Sequence, residues 1–186
     1  KVKSHPSTTS KTFSMKQLLV FIAHLVFTIA ARAQGACTTD DSTNTWKSVT
    51  SRTSGKYYLY VTTDITRPNC SYVGNLTNLD EATRSADVIY GRTEGNRMSH
   101  LQGTVRASGS QLTLMSEGKN LGTSTLLFSD DGNCDVTTGA DERCELWVHE
   151  SIIRTKSFDC CDNKFQECLR EGKKVNFPYD EGCRSQ

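Results

Sequence analysis

Two carboxylates and an indole stand along the C-terminal half of this chain at spacings that suit a cation site. Asp135 lies in Cys134-Asp135-Val136, and Glu145 and Trp147 lie in Cys144-Glu145-Leu146-Trp147-Val148-His149. Both stretches read as β-strands, in which successive side chains point to opposite faces. Glu145 and Trp147 then share one face, and Cys144, Leu146 and Val148 share the other. The same parity sets Asp135 opposite Cys134 and Val136. With the half-cystines and aliphatics packed against another element, both acids and Trp147 look into whatever the sheet encloses. An enclosed carboxylate needs a cationic partner or retained water. An indole beside it suits a small organic ammonium ion, through cation–π attraction and charge pairing together.

The elements that must position these residues are mostly short strands. Residues 56–63, dense in aromatic and β-branched side chains, give the strongest strand signal. Tyr57 and Tyr58 place aromatics on both of its faces, so pattern alone does not decide which turns inward. Further strands are expected at 71–74, 86–92, 101–107, 111–115 and 124–129, separated by polar or Gly-rich punctuation such as Ser108-Gly109-Ser110. That rhythm points to an antiparallel meander, sandwich or barrel. Two helices frame the strands. A short one falls within 38–53, opened by Thr38-Thr39-Asp40-Asp41 as cap material. The other runs over 158–172, with Cys161, Phe165, Cys168 and Leu169 on one face and Gly172 at its C-cap. The tail from Val175 to Cys183 reads as an extended strap. Asp130-Asp131-Gly132-Asn133 reads as a hairpin turn, since a calcium loop needs more ordered acids.

Met15-Lys16, an apolar run of 14 residues from Leu18 to Ala31, and Ala31-Arg32-Ala33 together read as a signal peptide over 15–33. Residues 1–14 are set aside as an untranslated or non-native leader. The apolar run falls short of the roughly 20 residues of a membrane span, so no membrane partner is expected. From Gln34 onward 17 basic residues face 21 acidic ones, a balance of −4 that gives no electrostatic reason to bind nucleic acid. Cys37, Cys70, Cys134, Cys144, Cys160, Cys161, Cys168 and Cys183 all lie in this part. An even count behind a signal peptide implies four disulfides in an oxidising compartment. With no CxxC pair and only His100 and His149 beside them, neither metal nor cofactor is expected. Asn75-Leu76-Thr77 is a glycosylation sequon, and Asn69-Cys70-Ser71 is a second in which Cys70 has a competing use. Residues 34–186 form one domain, expected to be monomeric.

Three segments in order carry a family resemblance. Trp46-Lys47-Ser48 precedes Tyr57-Tyr58. Phe128-Ser129-Asp130-Asp131-Gly132-Asn133 leads into Cys134-Asp135-Val136. Glu145-Leu146-Trp147 follows after 8 residues, and Cys160 after 12 more. These resemble the tick salivary lipocalins, specifically the histamine-binding and wider biogenic-amine-binding group. Across 75–122 the likeness is one of strand rhythm alone. The resemblance implies a mainly β fold: an eight-stranded antiparallel lipocalin-type barrel enclosing a cavity, with a short N-terminal helix and a C-terminal helix packed outside. It implies the bridges Cys37–Cys160, Cys70–Cys183 and Cys134–Cys161, which leaves Cys144–Cys168. Asp135 matches an acid of the family's lower amine site and Glu145 an acid of its upper site, while Trp147, Tyr57 and Ser48 match cavity positions. There are departures. Arg52 stands where two-site histamine binders have an acid, Asp64 where they have an aromatic, and Leu112, Leu114 and Gly122 where they have upper-site aromatics. The implied function is a secreted salivary protein that sequesters histamine or serotonin at a feeding site, modulating host inflammation, haemostasis and immune defence.

Blander readings stand beside these. The acids can be solvated strand residues, Trp147 can be ordinary core, Trp46 closes a barrel end, and His100 and His149 are surface residues. No GxSxG, Walker loop or HExxH is present, and paired cysteines leave no thiol nucleophile, so an enzyme is not expected. Two other binding classes compete. One is a scavenger of fatty acids or eicosanoids such as leukotrienes, with Arg52 as the cation. The other is an inhibitor of a host complement or clotting protein, acting through its loops.

Overall fold

Strand follows strand without a crossover until the last closes on the first. The structure is a computed structural model that describes residues 37, 43–52, 54–95, 97–139, 141–155 and 158–185. The signal peptide expected at 15–33 and the leader at 1–14 lie outside them. By its contacts the chain divides after Cys37, and the barrel belongs to the second unit, Thr38–Gln186. Its strands are β1 (Lys56–Thr62), β2 (Tyr72–Asp80), β3 (Ser85–Glu94), β4 (Arg97–Ser108), β5 (Gln111–Ser116), β6 (Lys119–Asp130), β7 (Cys134–Gly139) and β8 (Cys144–His149). They form a closed antiparallel barrel in sequence order, which leaves no sheet edge unpaired. Turn chemistry sets the registers. Ser116 pairs with Lys119 around Glu117 and Gly118, both at positive φ, as a two-residue hairpin with the native twist requires.

β2, β4 and β6 outrun the lengths expected from pattern by the most. β2 continues from Gly74 to Asp80 through register shifts on either side of Thr77, with Asn78 at a φ of 50°. A bulge breaks the period-2 alternation, so this half carries no clean strand signal. β4 and β6 start earlier, at Arg97 and Lys119, with largely exposed ends held by ladder hydrogen bonds rather than by burial.

Two helices pack on the barrel. α1 (Thr45–Ser51) lies near β4 and β6, where Val49 joins Ala86, Ala107 and Leu112 in a cluster flanked by Trp46. The Trp46 indole donates to Glu81 Oε2 at 2.6 Å, and the Thr45 hydroxyl donates to the Gly109 carbonyl at 2.8 Å. The cap is Asn44, whose Oδ1 accepts from the Lys47 amide at 3.0 Å. The cap material expected at Thr38-Thr39-Asp40-Asp41 lies outside the described residues. Asn44→Ala should therefore cost about 1 kcal/mol in urea unfolding.

α2 (Asp159–Cys168) buries Cys161 and Phe165 against β6, β7 and β8. There it meets Cys134, Val136, Cys144, Leu146 and Val148, all at most 2% exposed. Cys134–Cys161 and Cys144–Cys168 staple the helix to the sheet, and Cys70–Cys183 ties the tail across 113 residues. Cys37 and Cys160 are also disulfide-bonded. α2 is shorter than its apolar face suggests. Leu169 is already extended at the C-cap, and Gly172, at a φ of 80°, serves a turn beyond the helix. The strap follows, with Asn176 exchanging hydrogen bonds with Thr62 and Pro178 accepting from the Cys70 amide. No helix among the described residues is long and apolar enough to cross a membrane.

Candidate functional site

β8 aims its acid and indole inward, as its alternation dictates. Leu146 and Val148 are fully buried on the α2 side, whereas Glu145 and Trp147 line a cavity of about 490 Å3 inside the barrel. Val73, Tyr90, Val105, Leu112 and Leu114 supply apolar wall, and Gly122 leaves space where a side chain would stand. Among the described residues lining this cavity Glu145 is the one carboxylate. Its Oε2 accepts from the Trp147 indole at 3.1 Å, and its Oε1 lies 3.3 Å from Arg67 Nη2. The Arg67 guanidinium also sits 6.0 Å from the centre of the Trp147 ring. The Glu145 side chain is 10% exposed and that of Arg67 33%, so the acid is fixed while its cation reaches toward solvent.

The other expected residues form a separate inner group. Asp135 faces Trp147 across the β7–β8 ladder, but neither Asp135 nor Ser48 nor Tyr57 lines the large cavity. Asp135 Oδ2 is ion-paired with Arg52 Nη2, and its Oδ1 accepts from the Ser48 hydroxyl at 3.2 Å. Arg52 Nη2 also donates to Ser48 Oγ at 3.3 Å. The Arg52 guanidinium lies 4.7 Å from the centre of the Tyr57 ring. Asp135 is thus turned inward as expected, yet the cation it meets is supplied by the chain. Burial pushes the Tyr57 phenol well above its ordinary value; Arg52 opposes that shift and Asp135 adds to it, so the hydroxyl stays neutral. The tyrosine pair that pattern left undecided is resolved by packing. Tyr57 turns to Arg52, while Tyr58 turns out to Tyr72, Tyr179 and the Cys183 carbonyl.

Arg67 and Arg143 are cavity residues that sequence reasoning missed. Arg67 follows β1 in a turn closed by its amide to the Asp64 carbonyl and held by Asn176 on its own carbonyl. Coil residues carry no parity, so nothing in the sequence aims Arg67 at Glu145. Arg143 joins two loops, reaching Asp64 at 2.7 Å and Asp141 at 2.6 Å. The Thr66 hydroxyl, with help from its amide and from Arg143, lowers the Asp64 carboxyl to about 2 from 3.8. A depressed carboxyl stabilises the fold above its ordinary range, and that contribution disappears as pH falls toward 2. Asp64→Asn should then destabilise the protein at about pH 6, with the gap to wild type closing near pH 2 in denaturant melts. Among the described residues, the cluster nearest to a metal-binding arrangement is Cys70, Asp180 and Cys183, whose two sulfurs are bonded to each other and offer no thiolate.

A closed eight-stranded up-and-down barrel with an inner cavity and an outer C-terminal helix defines the protein as lipocalin-like. Residues 36–185 match the model of the family described as tick histamine binding protein, and the chain belongs to that family. It is also similar to the crystal structure of AM182 in complex with serotonin, at 35% identity and a TM-score of 0.69, over 81% of this chain and 97% of that one. The family is one of ligand-binding proteins.

Proposed function

We propose that this protein sequesters one small biogenic amine, histamine or serotonin, in the barrel cavity, with Glu145 pairing the ammonium and Trp147 backing it. The observation that carries the reading is the inward carboxylate beside an indole on the wall of a largely apolar cavity. A carboxylate oxygen accepts more than one hydrogen bond, so Glu145 keeps capacity beyond Trp147 and Arg67. The balance of charge points the same way. Among the described residues four arginines line the cavity, and five carboxylates hold them: Asp135 on Arg52, Glu145 on Arg67, Glu94 on Arg92, and Asp64 with Asp141 on Arg143. Each of these arginines is already charge-paired, so an eicosanoid carboxylate would compete with a protein acid for it. The family's description and the serotonin held by AM182 support the same ligand class.

In this reading residues 15–33 direct secretion into saliva, the mature chain starts at Gln34, Asn75 carries a glycan, and action at the feeding site is stoichiometric binding without turnover. Scavenging against receptors demands a Kd near 1 nM, about −12 kcal/mol, so enclosure of the ring must add to the ion pair. Titration calorimetry with histamine, serotonin and a leukotriene tests it. Saturable uptake of an amine that is recovered unchanged is expected. Leukotriene uptake without amine uptake would overturn the assignment in favour of a lipid scavenger.

A further inference from the structure

We propose that the turn between β1 and β2, residues 64–68, is a lid on the mouth of the cavity, and that Arg143 is the positioning residue that latches it. The ligand whose exchange the lid governs rests on the amine reading above. The turn lies beside the β7–β8 loop, at the barrel end opposite the β4–β5 turn that α1 touches. Its two ends are fixed by backbone. On one side Thr63 and Cys144 exchange hydrogen bonds: the Thr63 amide donates to the Cys144 carbonyl, and the Thr63 hydroxyl accepts from the Cys144 amide, each at 3.0 Å. On the other side the Asn69 carbonyl accepts from the Thr93 amide, and Cys70 is bridged to Cys183. Between these anchors the turn is stapled to itself. Asp64 Oδ1 accepts from the amide and the hydroxyl of Thr66 at 2.9 and 2.7 Å, and the Asp64 carbonyl accepts from the Arg67 amide. A turn built this way moves as one piece, hinged at its anchors.

The ties from this turn to the rest of the barrel are polar. Ile65 is 65% exposed, so the turn is not anchored by burying its one large aliphatic side chain. Arg143 reaches across from the β7–β8 loop, with Nη1 2.7 Å from Asp64 Oδ2 and Nε 2.6 Å from Asp141 Oδ1. Gly139 leaves room for that pair, since a Cβ there would stand 3.2 Å from Asp141 Oδ1 and 3.5 Å from Arg143 Nε. Asn176 adds a side-chain bond to the Arg67 carbonyl from the strap. Underneath, Arg67 of the same turn meets Glu145 and faces the Trp147 ring. Arg67, Pro68 and Arg143 all line the cavity. Lifting the turn therefore takes Arg67 off Glu145, bares the indole and widens the mouth in one movement. Partly exposed ion pairs are individually weak, and a segment held by them opens well below the cost of global unfolding.

Acrylamide quenching of tryptophan fluorescence reads the lid without any amine. Trp46 sits on α1 and is common to every variant, so a difference reports Trp147. Arg143→Ala should be quenched more than wild type, and about 1 M NaCl should raise quenching in the wild type more than in the variant. Stopped-flow mixing with histamine and with serotonin reads exchange. Association and dissociation rates should both rise roughly fivefold in Arg143→Ala. Kd should move less, because the latch closes over the empty and the filled cavity alike. Arg143→Lys keeps the charge and should restore part of both effects. Unchanged quenching in Arg143→Ala would overturn the lid. A weaker Kd with an unchanged association rate would place Arg143 in the binding site itself and overturn its role as a latch. Should Arg143→Ala fail to fold, the wild type in salt decides, and quenching that does not rise there overturns the proposal. A wild type that takes up neither amine fails the proposed function, while the quenching comparison still judges the lid.

Discussion

Replacing Cys134 and Cys161 together by alanine should lower the unfolding free energy by roughly 2–5 kcal/mol, read from the denaturant midpoint. The bridge closes a loop across 27 residues and is one of two that hold α2 on the barrel. The expectation is at the upper end of that range because of where the sulfurs lie. Cys134 and Cys161 are both fully buried, against Val136, Leu146, Val148 and Phe165. The double variant therefore loses packing as well as the cross-link. It also spares the other strand contact, because Cys144–Cys168 holds the helix C-terminus near its place. A loss of less than about 1 kcal/mol would mean that the reduced chain already keeps α2 near the sheet.

Much of this arrangement is written in short-range pattern. On β8 strict alternation separates Cys144, Leu146 and Val148 from Glu145 and Trp147, and the barrel obeys it residue by residue. On α2 the helical spacing of Cys161, Phe165 and Cys168 marks the face that meets those strands. Pattern fails where the backbone leaves its period or where a side chain reaches in from coil. The outer half of β2 is held by ladder bonds around bulges, so its polar residues look like loop. The cap of α1 rests on the single side chain of Asn44, which composition does not set apart from the acids upstream. The chemistry of the site is where coil matters most. Both acids are legible on their strands, but Arg52 leaves a helix end and Arg67 a turn, and no periodicity assigns either to its carboxylate. A strand acid can thus be read as inward facing without revealing whether a ligand or the protein itself satisfies it.

That distinction governs the amine site. Glu145→Gln should weaken binding of histamine or serotonin by roughly 2–5 kcal/mol, because it keeps the shape and removes one partner of a largely desolvated charge pair. The side chain is amide for carboxylate at equal size, and Glu145 stands on a strand clamped by β1 and β7 through Thr62 and Thr137. Its backbone ladder is untouched, so the loss reads charge and not collapse. Arg67→Ala supplies the opposite sign. Arg67 competes for the same Oε1 from a turn and is one-third exposed, so its removal should leave amine affinity unchanged or improved. The same change deprives a carboxylate ligand of its nearest guanidinium. Calorimetry of the two variants side by side therefore separates the ligand classes. Loss on Glu145→Gln with none on Arg67→Ala places the ammonium on Glu145, while loss on Arg67→Ala alone places an anion in the cavity.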